Sequence, residues 1–460
     1  MNVLMLILLS VIEIGFAVFS IVRKTDRKQW LTGRLLCDAG ELVLFLLFLL
    51  TREVNLGFRF KGLFVILIVR LLITVICYLV KKGRTEDPKK TAAKVGSGLI
   101  GVMMVVNGLI PSFLITGYEG LPTTGQYQVG QTQAILVDSS RVEEFETDGS
   151  AREIPVYFYY PENAAGETYP LVLFSHGAFG YYQSNSSTYM ELASHGYVVV
   201  SMDHPYHSFF THDTAGKLIT VNPGMLQGVQ YINSDVATEQ EIYDLSSQWL
   251  KLRCDDINYV IDSLEAAVES GTLSDSWYLG DVDVEDILTV TNLINCDKIG
   301  VMGHSLGGAA AVSLGRERED VGAVVDLDGT MLGEQTGVEN NQCLINQEPY
   351  TTPLLSFDND EHHFAKIECE QQGIPYMNNV VLANATDGFC TYIAGTMHMD
   401  YTDLPLFSPV LASLLGSGSL DKTECIETMN RIILEFFDCY LKGEGEFRVQ
   451  ECYDLSEHGN

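Results

Sequence analysis

Hydrophobic positions divide this sequence into two parts with different patterns. Up to residue 115, apolar residues gather in four long segments, at residues 3–22, 31–50, 63–80 and 95–115. Each is about 20 residues long, which is enough for a helix to cross a bilayer. Beyond residue 133, short apolar runs alternate with longer amphipathic stretches. This alternation predicts strands followed by helices, packed as a mostly parallel sheet with helices on both faces.

Ionisable residues interrupt the first three apolar segments. The first contains Glu13, but it has no basic residues before it and no cleavage-site pattern, so we expect a retained span. The second is the least apolar, because Arg34, Asp38 and Glu41 lie in its first half, and Arg70 interrupts the third. These residues either pair with one another or reach the interface, or they form a functional polar site in the membrane. We favour pairing or snorkelling, because most of them lie near predicted span ends.

Basic loops predict the orientation of the spans, since cytoplasmic loops are enriched in Lys and Arg. The first and third loops carry most of these residues: Arg23, Lys24, Arg27 and Lys28, then Lys81, Lys82, Arg84, Lys89, Lys90 and Lys94. Four spans with both loops inside place the second part of the chain on the outer face of the cell membrane. If the second segment does not span, that part lies in the cytoplasm.

Charge separates the two parts further. The formal net charge is −32, and from residue 118 onward acidic residues outnumber basic ones by about four to one. Such a surface repels phosphate, which argues against nucleic-acid binding. The ten cysteines have no metal-binding spacing, and both disulfides and free thiols are compatible with them. We expect a membrane region at residues 1–115, a linker at 116–133 and a globular domain at 134–460.

The clearest chemical signal is a G-x-S-x-G turn between a predicted strand and a predicted helix. Residues 299–302 are apolar, residues 303–307 read Gly-His-Ser-Leu-Gly, and small residues follow as far as 314. This arrangement is typical of the nucleophile elbow of α/β-hydrolases, whose strained turn holds the serine above the sheet. Gly303 and Gly307 leave room for the turn. Ser305 is therefore the predicted nucleophile.

A second turn predicts the groups that would stabilise a negatively charged intermediate. The apolar run at residues 171–174 ends in Ser-His-Gly-Ala, where α/β-hydrolases place one backbone N–H of the oxyanion hole. We assign that N–H to Ala178 and the second to Leu306, the residue after the nucleophile. The nearby stretch 203–208 holds one aspartate and two histidines. Its spacing fits no metal site, so we expect a loop at the mouth of the pocket.

A serine nucleophile needs a histidine as base, and the base comes last in the chain order of α/β-hydrolases. His398 fits this position because it follows a predicted last strand and precedes a long predicted helix. His362 and His363 come too soon after a strand end to follow the acid, and His458 lies in a polar tail.

The acid that orients the base comes from the end of a strand after the elbow. The strand at residues 321–327 ends with Asp326 and Asp328 nearby, and the next strand ends at residues 358–360. Asp328 is the preferred acid because it lies last before Gly329, at the edge of the sheet. Asp360 is the alternative.

Four stretches resemble the plasma and intracellular type II platelet-activating factor acetylhydrolases: FSHGAFG, GHSLGGAAA, VVDLDGTM and IAGTMHMDYTDLPLF. The resemblance covers residues 154–441 and leaves the membrane-spanning part unmatched. It implies an α/β-hydrolase that cleaves short or oxidised sn-2 acyl chains from phospholipids without calcium. It implies the same groups at the site: Ser305, Asp328 and His398 as the triad, with the Ala178 and Leu306 amides. The Asp-Asn-Asp at residues 358–360 also resembles bacterial cutinase-like polyester hydrolases, whose acid comes from that later strand, so Asp360 stays open.

The sequence therefore predicts a membrane-anchored serine hydrolase that acts on acyl esters, with phospholipids near the bilayer as a substrate class. We expect it to need no metal and no organic cofactor. A different class of protein is also compatible with the sequence, namely a non-catalytic membrane receptor or sensor that uses an inactive hydrolase domain. Within enzymes, the alternatives are a peptidase or a thioesterase.

Overall fold

The structure, a computed structural model of the 460-residue chain, describes residues 1–81, 90–118, 120–162, 166–234 and 236–455. Residues 82–89 of the predicted third loop, including Lys82, Arg84 and Lys89, lie outside this described part, and so does His458. The chain divides into two compact units. The helical unit comprises Met1–Tyr118 with Phe407–Leu411, and the second unit comprises Glu119–Leu406 with Ala412–Asn460.

The helical unit contains one helix for each predicted apolar segment: α1 (Asn2–Val22), α2 (Arg27–Leu50), α3 (Phe58–Lys81) and α4 (Thr91–Leu114). Asp26 begins α2 with a capping box, in which its side chain accepts the Gln29 N–H at 2.7 Å. Three of the helices are long and apolar enough to cross a membrane, namely α1, α4 and residues Phe58–Val80 of α3. Helix α2 carries more charge than such a span usually has.

The charged residues of the apolar segments pair with one another inside the helical unit. Both Nη atoms of Arg34 donate to the Glu13 carboxylate, at 2.5 and 2.6 Å. Arg70 Nη2 lies 3.0 Å from both Asp38 and Glu41, and it also contacts Glu13. The expected mutual pairing is thus present, but these charged residues do not lie near the ends of their helices. Asp38 lies in the middle of α2, because that helix begins at Arg27, four residues before the predicted segment.

The second unit is built on a sheet of ten strands in the order β14-β13-β12-β9-β8-β3-β4-β2-β1-β7. The seven strands from β14 to β4 are parallel to their neighbours, and β2, β1 and β7 are added antiparallel. The strands of this sheet are β1 (Val129–Val142), β2 (Ala151–Pro161), β3 (Tyr169–Ser175), β4 (Val198–Met202), β7 (Trp277–Tyr278), β8 (Ile294–His304), β9 (Val321–Leu327), β12 (Leu354–Asp358), β13 (Gly388–Ile393) and β14 (Cys452–Tyr453).

Two small hairpins lie outside the main sheet: β5 (Phe210–His212) with β6 (Leu218–Thr220), and β10 (Gln335–Glu339) with β11 (Gln342–Ile345). The helices that follow along the chain are α5 (Ser186–Ser194), α6 (Pro223–Ile232), α7 (Glu239–Ser270), α8 (Val284–Thr291), α9 (Leu306–Glu317), α10 (Asp360–Gln372), α11 (Met377–Asn384), α12 (Leu404–Phe407), α13 (Pro409–Leu415) and α14 (Lys422–Phe437).

Alternate residues of the central strands enter two separate hydrophobic cores. In β3, Leu171 and Leu173 belong to one core, and Val172 and Phe174 belong to the other. A strand that is apolar on both faces is typical of a sheet covered by helices on both sides. The predicted fold class, an α/β-hydrolase sheet preceded by apolar helices, is confirmed.

Elements beside the core differ from the sequence expectation. Strand β1 begins at Val129, inside the predicted linker, because its first residues pair with the end of β2. The segment between α7 and α8 contains β7, whose two residues pair with Ile135 and Leu136 of β1. So short an edge strand has no periodicity of its own, and only the neighbouring strand determines it.

Candidate active site

Ser305 lies between the end of β8 and the start of α9, in a strained backbone conformation with φ 54° and ψ −122°. Its neighbours have no room for side chains. A Cβ on Gly303 would lie 2.2 Å from the carbonyl carbon of Gly307, and a Cβ on Gly307 would lie 2.0 Å from the Ser175 carbonyl oxygen. The two glycines are therefore needed for close backbone approach, as the sequence pattern predicts.

The turn after β3 packs directly against this elbow. A Cβ on Gly177 would lie 2.7 Å from His304 Nδ1 and 3.2 Å from Ser305 Cβ. The next residue, Ala178, uses its N–H in none of the hydrogen bonds found in the described part of the chain. Leu306 is the first residue of α9, where a helical N–H has no acceptor within the helix. Leu306 thus directly follows Ser305 in the chain, and Ala178 follows the glycine that packs against the elbow.

Asp328 and His398 are joined by a hydrogen bond, in which His398 Nδ1 donates to Asp328 Oδ2 at 2.6 Å. Asp328 is buried just after β9, and its φ is 57°. Asn359 holds the same carboxylate with two donors, its backbone N–H and its side-chain amide, each at 2.7 Å. Burial alone would raise the pKa of Asp328, but hydrogen bonds from His362 and His398 lower it to about 2. The acid is therefore ionised and fixed in place at pH 7.

His398 begins a 3₁₀ turn beside the elbow. The ring centroids of His398 and His304 are 4.6 Å apart, and His304 Nε2 donates to the His398 carbonyl at 3.0 Å. Burial lowers the pKa of His304 to about 3, so its ring is neutral at pH 7. Among the described hydrogen bonds, none joins the Ser305 hydroxyl to His398. Catalytic hydrogen bonds of this kind are often long before a substrate binds.

The two other candidate aspartates have different partners. Asp326 accepts the Gly329 N–H at 3.0 Å and the Ser356 hydroxyl at 3.2 Å, and its burial raises its pKa well above the usual range. Asp360 is the first residue of α10 and accepts the Gly395 N–H at 3.0 and 3.1 Å. In the described structure it is Asp328 whose carboxylate holds the His398 ring.

His362, which the chain order alone argues against, is a third member of this group. Its Nδ1 donates to Asp328 Oδ1 at 2.8 Å, on the carboxylate oxygen that His398 does not use. This hydrogen bond to an ionised carboxylate raises the pKa of His362 to about 9. The sequence feature that could have indicated this role of His362 is a helix-capping residue, Asn359. Its side chain accepts the His362 N–H at 2.8 Å, so that α10 begins beside Asp328.

A buried polar network, which the sequence patterns did not predict, supports the turn after β3. Arg253, on α7, is fully buried and donates to the His176 carbonyl and to the Ser175 hydroxyl, the latter at 3.2 Å. Burial lowers its pKa to about 9, which leaves the guanidinium charged at pH 7. One feature of the sequence indicates this burial: Arg253 lies four residues before Ile257, on the apolar face of a helix.

The stretch 203–208, expected at the pocket mouth, is part of the same buried network. His204 is fully buried, its Nε2 lies 3.0 Å from the Ser175 hydroxyl, and its Nδ1 donates to Asp256 at 2.9 Å. Arg152 Nη2 donates to the same Asp256 oxygen at 2.7 Å, and Arg152 Nε donates to the other oxygen at 3.1 Å. The stretch is a turn after β4, as expected, and its polar groups are buried because Asp256 and Arg253 on α7 supply partners for them.

Within the described residues, groups of three His, Cys, Asp or Glu side chains close enough to share a metal ion occur only in the helical unit, at Glu13, Asp38 and Glu41. Arg34 and Arg70 already bind those carboxylates. Around Ser305, the described contacts join His398 to Asp328 and His398 to His304, the residue before Ser305.

Comparison with known proteins identifies the family that the second unit matches. The family described as "Platelet-activating factor acetylhydrolase, isoform II" matches residues 121–457. A platelet-activating factor acetylhydrolase from Bos taurus is 24% identical over 292 residues, covering 61% of this chain and 59% of that protein. The corresponding protein from Gallus gallus is 25% identical over 299 residues, covering 61% of this chain and 64% of its own length. The chain thus spans under two thirds of the curated relatives that it matches.

A solved structure also resembles the chain. A ferulic acid esterase from Streptomyces cinnamoneus aligns with 72% of this chain and 95% of its own, with a TM-score of 0.49 and 19% sequence identity.

Proposed function

Since this chain belongs to the platelet-activating factor acetylhydrolase, isoform II, family, we propose that it is a serine hydrolase that cleaves carboxylic esters through an acyl-enzyme. The observation that carries the proposal is the 2.6 Å hydrogen bond from His398 to Asp328, next to a serine with φ 54°. Strain of this kind is stored where a nucleophile must be held clear of its surroundings.

In the proposed reaction, Ser305 attacks the ester carbonyl while Nε2 of His398 accepts the hydroxyl proton. Asp328 keeps the proton of His398 on Nδ1, so that Nε2 is the free acceptor, and it stabilises the imidazolium that forms. His398 then donates the proton to the departing alcohol. A water molecule, activated by the same ring, hydrolyses the acyl-enzyme and releases the acid.

The tetrahedral intermediate carries a negative oxygen, which the Ala178 and Leu306 amides would bind. Two features support this assignment: Ala178 follows Gly177, which packs against the elbow, and Leu306 adds the positive end of the α9 dipole. Loss of one such donor typically costs on the order of 3 kcal/mol of transition-state stabilisation. The arrangement needs no metal ion and no organic cofactor.

For the substrate we propose acyl esters of lipids, including short acyl groups at the sn-2 position of phospholipids. Two features support this class. The curated relatives are platelet-activating factor acetylhydrolases, and three apolar helices in the same chain suit attachment to a membrane.

We further propose that all four N-terminal helices cross the membrane and that the hydrolase unit is extracytoplasmic. The charges of α2 lie beside Glu13 and Arg70, each near the middle of its own helix. A helix whose charges meet partners at that depth lies among the spans, and pairing lowers the cost of burying those charges. A reporter fused after Gly125 tests this: alkaline phosphatase should be active and a fluorescent protein dark, and the reverse result would place the unit inside.

The activity is tested with full-length protein in detergent and a fluorophosphonate probe. We expect wild type to be labelled and Ser305→Ala to be unlabelled. Ser313→Ala, on the same helix, should label normally, since the Ser313 hydroxyl is buried and donates to the Ala309 carbonyl. Hydrolysis of phosphatidylcholines with acetyl or palmitoyl at sn-2 then separates short-chain from general specificity. Absence of labelling in folded wild type would favour a non-catalytic receptor, and labelling of Ser305→Ala would refute the nucleophile.

A further inference from the structure

A cavity of about 520 Å³ lies inside the helical unit, beside the ion pairs of α1, α2 and α3. Cavities between about 300 and 1,000 Å³ are the usual size of small-molecule sites in proteins. None of its lining residues belongs to the proposed catalytic group, so its chemistry has to be considered separately.

The charged side chains on the wall of this cavity are mostly cationic: Arg27, Arg34, Arg70 and Lys90 line it, together with Asp38. Arg34 and Arg70 are held in the ion pairs with Glu13, Asp38 and Glu41, which leaves Arg27 and Lys90 outside that cluster. Arg27 is the first residue of α2, and Lys90 immediately precedes α4, so two of the cations belong to helix starts, where the backbone also favours negative charge.

Arg70 supplies a donor without a partner. Its side chain is 7% exposed, and Nη2 takes part in the ion pairs with Asp38 and Glu41. Nη1 has no hydrogen-bond partner among the described residues, although the same residue lines the cavity. A buried guanidinium N–H without an acceptor is costly, which indicates that an acceptor group from a ligand belongs there.

Most of the remaining lining is apolar, as an amphiphile would require. Leu31 is buried, and Ile73 and Met104 contribute further hydrocarbon surface. A free inorganic anion would leave this surface without a partner, and a cation would face Arg27 and Lys90. An anion that carries a hydrocarbon chain provides a partner for both the cationic and the apolar side chains of the lining.

We propose that this cavity binds the anionic headgroup of an amphiphile, a carboxylate or a phosphate on an acyl chain. The headgroup accepts hydrogen bonds from Arg70 Nη1 and is attracted by Arg27 and Lys90, while the chain lies along Leu31 and Met104. Membrane lipids and the fatty acids released from them have this chemistry. The site uses residues of the helical unit alone, so it stands or falls independently of the catalytic proposal.

Trp30 also lines the cavity, which provides a direct assay. Full-length protein in phosphatidylcholine nanodiscs is titrated with a dibrominated stearic acid, whose bromines quench nearby tryptophan fluorescence. The other two tryptophans, Trp249 and Trp277, lie in the second unit. The difference between wild type and Trp30→Phe therefore isolates the signal from the cavity. We expect saturable quenching of Trp30.

Substitution of Arg70 would disturb the ion pairs and could unfold the unit, so the test uses residues at the rim. Arg27→Gln combined with Lys90→Gln should weaken binding about tenfold, as expected when two charge-assisted contacts are lost. Ser97→Phe, which fills the cavity, should abolish the saturable signal. Lys28→Gln is the matched control, because Lys28 is also exposed but does not line the cavity.

Three further ligands test whether binding requires both an anionic group and a hydrocarbon chain. Lysophosphatidic acid should displace the brominated acid, because it also joins an anion to a chain. The brominated alcohol of equal chain length should bind about tenfold more weakly. Inorganic phosphate should not compete at similar concentration. Equal binding of acid and alcohol, competition by phosphate alone, or unchanged binding in both the rim and the Ser97→Phe variants would each overturn the proposal.

Discussion

His362 Nδ1 lies 2.8 Å from Asp328 Oδ1, on the carboxylate oxygen opposite the one that receives His398. Two histidines thus share one buried acid. The hydrogen bond to Asp328 raises the pKa of His362 to about 9, so at pH 7 this ring is an imidazolium that neutralises part of the carboxylate charge. His362 is accordingly a positioning residue that acts on the base through Asp328.

Replacement of His362 by Phe should move the acidic limb of the kcat/KM–pH profile toward higher pH, by about one unit. Without the neighbouring positive charge, the full negative charge of Asp328 acts on the base, so a higher pH is needed before the enzyme is active. His363→Phe is the control, since His363 stacks on Tyr392 with ring centroids 3.8 Å apart. If both variants keep the wild-type profile, His362 has no electrostatic role in catalysis.

The pH dependence of unfolding tests the same pair of residues. The pKa of His362 is raised from 6.5 to about 9, so the proton on His362 stabilises the fold fully below pH 6.5. This contribution is lost as the pH rises through about 9. Wild type should therefore lose more thermal stability between about pH 7 and pH 10 than His362→Phe, as measured by scanning fluorimetry. Equal losses would show that His362 is not charged in the folded protein.

Asparagine substitutions should show whether Asp328 or Asp360 is the acid that orients His398. Asp328→Asn should lower kcat for a chromogenic acetyl ester by about four orders of magnitude, because an amide no longer fixes the tautomer of His398. Asp360→Asn should keep activity within about tenfold, since the described hydrogen bonds of the Asp360 carboxylate are those from the Gly395 N–H. A larger loss in Asp360→Asn than in Asp328→Asn would reverse the assignment.

The parts of this site that could be predicted from sequence are those encoded locally. Gly303 and Gly307 flank Ser305 in one turn, and the end of a buried strand predicts Asp328. His362 could not be assigned in this way, because its role depends on where α10 begins relative to a different strand. The capping side chain of Asn359 sets that start, and the same side chain holds Asp328.

The same reasoning explains what was missed farther from the nucleophile. The edge strand β7 consists of two residues, and its pairing with Ile135 and Leu136 is not visible in its own sequence. In the helical unit, a pairing of charges could be expected from composition. That Arg34 is the partner of Glu13 depends on the packing of α1 against α2, for which a single sequence carries no signal.

Arg253 should contribute to turnover by holding the turn that carries Ala178. Arg253→Met leaves the buried His176 carbonyl without its donor, which typically costs about 1–3 kcal/mol of stability. Because the turn then loses its fixed position, kcat should fall at least about tenfold with little change in KM. Lys251→Met, two residues away on α7, is the control, because Lys251 is exposed and forms an ion pair with Asp255 at the surface. A rise in KM alone would instead indicate a role in substrate binding.

Gly177 provides the most direct test of whether the turn after β3 serves the nucleophile. In Gly177→Ala, the new Cβ would lie 2.7 Å from His304 Nδ1 and 3.2 Å from Ser305 Cβ, so the turn has to move away from the elbow. We expect kcat to fall about a hundredfold, the loss typical of one missing oxyanion donor.

Gly216→Ala is the contrasting variant, because Gly216 has φ 75° and a Cβ added there would meet no described atom within 4 Å. That substitution adds backbone strain of about 1 kcal/mol without touching the site, so it should lower stability and leave kcat unchanged. Steady-state kinetics and thermal unfolding of the two variants separate the effects. If Gly177→Ala behaves like Gly216→Ala, the turn after β3 does not stabilise the oxyanion, and the assignment of Ala178 fails with it.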